Sequence, residues 1–173
     1  MGSGNMPPEY IIPYLISNIV ALGLVLTAWQ WPRVTRYLFA LIFLAASLAN
    51  TVIVLKSPSS YVEGYGELAV LPIYKSFIYG FFSRYTIPIV LLIALGQVIL
   101  FGLLSFKESL VFWGVLVASF FLFTITPLGL GSAFPCTLIL TLALWIMLWK
   151  LQQPYKPFQN RHVTIPRFKR EAK

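Results

Sequence analysis

Residues 86–105 read Thr-Ile-Pro-Ile-Val-Leu-Leu-Ile-Ala-Leu-Gly-Gln-Val-Ile-Leu-Phe-Gly-Leu-Leu-Ser, a run without a single charge. A bilayer's hydrocarbon core is about 30 Å thick and takes roughly 20 apolar residues to cross as a helix, so this stretch predicts a spanning helix. Four further runs of the same kind stand around it, at 10–31, 36–55, 109–127 and 133–150. The expected fold is an all-α polytopic membrane helix bundle of five transmembrane helices. The composition agrees, with 58% hydrophobic and 10% charged residues among 173, against about 25% charged in ordinary soluble domains. Little chain is left for a soluble domain.

Short breaks separate most of the runs: Trp31-Pro32-Arg33, Phe106-Lys107-Glu108, and Pro127-Leu128-Gly129-Leu130-Gly131. Connections this short make neighbouring helices antiparallel. The last break continues through Ser132, a candidate N-cap for the final helix, and its amides at a helix start are a possible receptor for an anionic or carbonyl group. Gly23, Ala45, Ala49, Gly96, Gly102 and Gly114 are small enough to let helices approach closely, within one chain or in a homo-oligomer.

Lysine and arginine set the orientation. Arg33, Arg36, Lys107 and the set Lys150, Lys156, Arg161, Arg167, Lys169, Arg170 and Lys173 fall on one side, leaving only Lys56, Lys75 and Arg84 on the other. The positive-inside rule makes the first side cytoplasmic, with the N-terminus outside and the C-terminus inside, in a bacterial inner membrane or its eukaryotic equivalent. All five Trp fall at the inner helix ends and seven of the nine Tyr on the outer side, as amphipathic rings at headgroup depth do. Residues 1–8 read as a cloning remnant, 9–151 as the bundle, and 152–173 as a basic cytoplasmic tail held against anionic lipids. The basic balance is that of such a tail, so nucleic acid is not an expected partner.

The stretch from Ser57 to Arg84 is long for a connection without structure of its own. Its second half, residues 68–82, is apolar but carries Lys75 in the middle. Tyr74, Phe77, Ile78 and Phe81 share helical spacing, which predicts an amphipathic or re-entrant helix on the outer interface. The first half holds Tyr61, Glu63, Tyr65 and Glu67, interleaved with Gly64 and Gly66. The glycines argue against a regular helix there, and the two carboxylates are read either as a site for a cation or a partner's basic residue, or as solvated loop charges.

With no Asp, five Glu, one His and one Cys, the chain cannot build a Ser-His-Asp triad, a CxxC pair or a His/Cys metal cage. No catalytic residue, metal site or intrinsic cofactor is expected. None of the five runs carries an ionisable residue away from its ends, which disfavours a proton- or ion-coupled carrier. Polar side chains remain: Asn18, Asn50, Thr51, Thr124, Thr126 and Thr137 in the outer half, and Gln97 near mid-depth. Two readings stand open for them, interhelical hydrogen bonding or a small polar pocket opening outward beneath the long connection.

The run Arg36-Tyr37-Leu38-Phe39-Ala40-Leu41-Ile42-Phe43-Leu44-Ala45-Ala46, followed by a Pro/Tyr/Glu loop and three close-packed spans, resembles the DoxX-like family of four-helix membrane proteins over residues 33–150. Ala45, Ala46 and Ser47 stand where glycines of the first core helix are expected, and helix 10–31 is an addition. The resemblance implies a core that starts and ends in the cytoplasm. It further implies association with quinone-linked sulfur oxidation, with membrane oxidoreductase complexes or with accessory roles, and it transfers no catalytic residue. The function expected is an accessory or binding protein that holds a quinone or lipid in an outer-half pocket of Asn18, Asn50, Thr51, Gln97, Thr124 and Thr126. A subunit of a quinone-linked oxidoreductase, completed by a membrane protein partner, is the alternative, and a small-molecule transporter is less expected.

Overall fold

A computed structural model describes residues 8–153, and they are helical almost throughout. The helices are α1 (Pro8–Gln30), α2 (Pro32–Lys56), α3 (Ser59–Leu68), α4 (Pro72–Phe77), α5 (Thr86–Ser105), α6 (Glu108–Ile125) and α7 (Cys136–Gln152). A π-helical turn, Ile78–Phe82, continues α4, and a 3-10 segment, Thr126–Ser132, joins α6 to α7. Four helices are long and apolar enough to cross a membrane: Ile11–Gln30, α2, α5 and the helix from Glu108 to Gly129, whereas α7 is a shorter apolar helix. The expected tail beyond 153 and most of the expected remnant, residues 1–8, lie outside the described residues.

Side-chain pairings fix the topology. Ser47 Oγ donates to the Ala94 carbonyl at 2.8 Å in the middle of α2 and α5, while Arg36 near the start of α2 reaches the carbonyls of Leu104 and Phe106 at the end of α5. These two helices are therefore antiparallel. In contrast α1 and α7 run parallel: Cys136 Sγ donates to the Ser17 carbonyl at one end, and Trp29 lies 5.9 Å from Trp149 at the other. Lys150 Nζ sits 3.9 Å above the Trp29 ring, a cation–π contact that ties the same two helix ends. The order around the bundle is α1, α2, α5, α6, α7, with α7 closing against α1.

One end carries the tight turns around Trp31 and Phe106; the other carries α3, α4, the π turn and the 3-10 segment, which together form a cap. Packing reflects this division. Phe39, Leu104, Val115, Leu144 and Met147 are buried in a core toward the tight-turn end. A second, smaller cluster of Val54, Tyr61, Ala69, Ile78, Phe82 and Val90 lies under the cap. Gly114 permits the close α5–α6 approach, because a Cβ there would stand 3.0 Å from Leu104 Cδ2 and 3.2 Å from Leu103 Cβ. Gly23 and Gly96 face open space, Gly102 meets only Phe106 of its own turn, and Ala45 and Ala49 are exposed, so of the small residues named above Gly114 alone makes an interhelical close approach of this kind.

Three local expectations are corrected. The glycine-rich stretch is a regular helix, α3, and Gly66 lets the Tyr79 ring lie against it, a Cβ there falling 2.5 Å from that ring. The expected stripe of Tyr74, Phe77, Ile78 and Phe81 is split: Ile78 is buried with Phe82 under the cap, whereas Phe77 and Phe81 stay exposed with their rings 6.0 Å apart. Ser132 is not the N-cap of α7, which begins at Cys136 behind Pro135 without a side-chain cap. Its hydroxyl donates instead to the Gly129 carbonyl at 3.0 Å, inside the 3-10 segment.

Candidate functional site

Between the two packed clusters the helices leave a half-open cavity. This cavity, of about 500 Å³, is walled by α2 (Phe39, Phe43, Ala46), α5 (Val90, Ile93), α6 (Phe121, Leu122) and α7 (Thr137, Leu140), and roofed by Tyr61, Tyr65, Tyr74, Ile78 and Phe82 of the cap. A second cavity of about 370 Å³ lies between α1, α3 and the turn before α7, lined by Tyr14, Ser17, Ser60 and Gly64 among others. Asn50, Tyr61, Tyr65, Ser17, Gly131 and Ala133 line both. These shared residues form a polar waist between an outer chamber and a largely apolar inner one. No charged side chain of the described residues lines either chamber.

A hydrogen-bonded chain of three residues runs from the waist into the inner chamber. The Tyr61 hydroxyl donates to Asn50 Oδ1 at 2.9 Å, and Asn50 Nδ2 donates to Gln97 Oε1 at 2.9 Å. Each link follows from element geometry. Asn50 lies nearly two turns before the end of α2, Gln97 faces it from the antiparallel α5, and α3 folds back over α2 through the short break at Ser57 and Pro58. Burial pushes the phenols of Tyr61 and Tyr65 above the ordinary tyrosine value, and for Tyr61 the neighbouring Tyr65 adds to the rise. Both therefore remain neutral and able to donate throughout the physiological range. Their rings stand 5.7 Å apart, and Tyr65 packs against Gly131, where a Cβ would come within 2.7 Å of its ring.

Of the six expected pocket residues, Asn50, Gln97 and Thr124 line the inner chamber and the other three do not. Asn18 sits at the α1–α7 contact, its Nδ2 donating to the carbonyls of Tyr14 and Ala133 at 2.9 and 3.2 Å, with Oδ1 enclosed and unpartnered. Thr51 donates to the Ser47 carbonyl at 2.9 Å on its own helix. Thr126 bonds the Leu122 carbonyl at 2.8 Å and lies 3.0 Å from the hydroxyl of Thr137. These three are engaged in interhelical or local hydrogen bonds. Thr124 contributes chiefly its carbonyl, which accepts from the Tyr74 hydroxyl at 2.8 Å and anchors α4 to α6.

The four outer residues divide in the same way. Tyr61 and Tyr65 turn inward to the waist, whereas Glu63 and Glu67 are exposed on α3, four residues apart, and line neither chamber. Sequence reasoning missed Tyr74, Ser17 and Cys136 as lining residues, having taken tyrosines on this side for headgroup aromatics. It also missed Arg36, counted as a flanking charge but only 5% exposed. The Arg36 guanidinium donates to the carbonyls of Leu104 and Phe106, which lie at the C-terminal end of α5 and have no helical partner.

Among the described residues no three His, Cys, Asp or Glu side chains gather to hold a metal ion. What the arrangement offers chemically is neutral hydrogen bonding in an aromatic and aliphatic enclosure. Compared with protein-family models, with curated proteins and with solved structures, the chain finds no match.

Proposed function

We propose that the protein is an integral membrane binding or accessory subunit, and that the inner chamber holds a hydrophobic ligand of the quinone or lipid class. The observation that carries this reading is the buried Tyr61–Asn50–Gln97 chain at the mouth of a cavity of about 500 Å³ with apolar walls. Pockets for small hydrophobic ligands have this make-up, mostly apolar with a few placed polar groups. The outward faces of the helices support a membrane setting: Ile19, Leu26, Leu41, Leu92 and Phe120 are each more than half exposed, which is favourable against lipid tails and costly in water.

In this reading α7 is the fifth span. It runs beside α1 from Ser17 to Trp29, about 18 Å of helix, and shares α1's direction. Arg33, Lys107 and Lys150 then mark the cytoplasmic end, and the cap with Lys56, Lys75 and Arg84 faces outward. The N-terminus is outside, the C-terminus inside, and the outer chamber opens beside α3 on the outer face. The likeness to the DoxX-like family supports the same placement and a quinone-linked or accessory role.

Filling the chamber tests the proposal. Ala46→Phe puts a ring into the cavity from α2, and native mass spectrometry of gently extracted protein compares retained small molecules with the wild type. The expected result is loss of a defined hydrophobic mass with the helical content unchanged. Equal retention in the filled variant would contradict the proposal.

A further inference from the structure

Hydrogen-bond direction along the waist decides which atom is left over. A phenol has one hydrogen to give, and that of Tyr61 goes to Asn50 Oδ1 at 2.9 Å rather than to the Asn50 backbone oxygen at 3.3 Å. Asn50 therefore turns its oxygen to Tyr61 and its nitrogen to Gln97, where it donates to Oε1. Gln97 is left with Nε2 and its two hydrogens pointing elsewhere. The residue is only 5% exposed and lines the inner chamber. Among the described residues the bond accepted from Asn50 is the side-chain hydrogen bond Gln97 makes, and Nε2, unlike Asn18 Oδ1, is not sealed in protein.

The chamber thus combines an unpartnered amide donor with aromatic and aliphatic walls that carry no charge. A carboxylate or phosphate placed here would lose its water and find no counter-charge, and a cation would fare no better. We propose that the ligand is an uncharged molecule bound through a carbonyl oxygen that accepts from Gln97 Nε2, with its apolar remainder against Phe39, Phe43, Phe82 and Phe121. This rests on the reading of the chamber as a hydrophobic-ligand site and names the chemistry of its occupant. Quinone rings and glyceride esters both present such a carbonyl.

Calorimetric titration of the delipidated full chain in detergent separates the possibilities with three probes: decylubiquinone, dioctanoylglycerol, and phenyldodecane, which has no hydrogen-bond acceptor of this kind. At least one carbonyl probe is expected to bind about tenfold more tightly than phenyldodecane, and Gln97→Leu to remove that difference without weakening phenyldodecane. Preference for decylubiquinone identifies a quinone site, and preference for dioctanoylglycerol a glyceride site. Equal binding of all three, unmoved by Gln97→Leu, overturns the carbonyl proposal while leaving a hydrophobic-ligand chamber. Binding of none overturns both. Because Gln97→Leu strips Asn50 Nδ2 of its acceptor, the double variant N50L/Q97L, which removes both partners, serves where the single variant does not fold, and the wild-type comparison needs no variant.

Discussion

At the residue scale, Arg36 and the two cap tyrosines make the sharpest claims. Arg36 spends its charge on carbonyls at the end of α5, and hydrogen bonds from a charged donor contribute about 1.5–3 kcal/mol each to stability. Arg36→Leu is therefore expected to destabilise the bundle by about 2–3 kcal/mol, read as a fall in the unfolding midpoint in detergent. Arg36→Lys should recover little of it, because an ammonium lacks the planar fork that reaches two carbonyls. The phenols of Tyr61 and Tyr65 have pKa values raised by burial. A group whose folded pKa is raised keeps its contribution below the unfolded value, 10.0 for tyrosine, and loses it as pH climbs past that value. The absorbance of tyrosinate should accordingly show these two ionising above the ordinary tyrosine value, with their contribution to stability lost on that alkaline side. Ionisation of both phenols at or below the ordinary tyrosine value of 10.0 would contradict the burial of this waist.

Helices are the scale at which sequence was most legible, and azimuth the quantity it withheld. The run at 86–105 coincides with α5 because Arg84 and Lys107 bound it on both sides. Relative depth was read less finely: Asn50 was expected in the outer half and Gln97 near mid-depth, yet their side chains hydrogen-bond at 2.9 Å. Direction around the axis was not legible, since a helix apolar on all sides has no stripe to mark its inner face. Thr51 follows Asn50 by one residue, about 100° round the helix, and so points away from the chamber to bond its own backbone. Likewise Gly66 reads as a breaker because its neighbour, the Tyr79 ring, belongs to the π turn rather than to α3.

The cap also has its own test at this scale. Gly129 has φ 62°, and a Cβ there would fall 2.6 Å from Val70 Cγ2 and 3.1 Å from the Leu68 carbonyl. Gly129→Ala carries a backbone penalty of about 1–3 kcal/mol and pushes the 3-10 segment off α3, breaking the bond from Val70 N to the Pro127 carbonyl. Faster proteolysis between α3 and α4 is the expected signature. By contrast Gly114→Ala should loosen the α5–α6 hairpin at the other end, at about 1–3 kcal/mol for overpacking, and leave the cap's protease resistance unchanged.

For the whole molecule, the parallel α1–α7 pair and the antiparallel α2–α5 pair place every tight turn at one end and the cap at the other. The proposed orientation puts the cap outside. In a Cys136→Ala background, Glu63→Cys should react with a membrane-impermeant maleimide on intact cells, while Lys107→Cys should react only after permeabilisation. The reverse pattern would invert the molecule and move the outer chamber's mouth to the cytoplasm.

The proposed binding function rests on the cavity between the two packed clusters. Its occupant is best identified directly, by extracting the wild-type protein gently from its membrane and measuring the mass and amount of every small molecule released on unfolding. One uncharged hydrophobic species near one per chain is the predicted result. A chain that releases nothing, or only the membrane's phospholipids in their bulk proportions, would contradict the assignment of the chamber as a binding site.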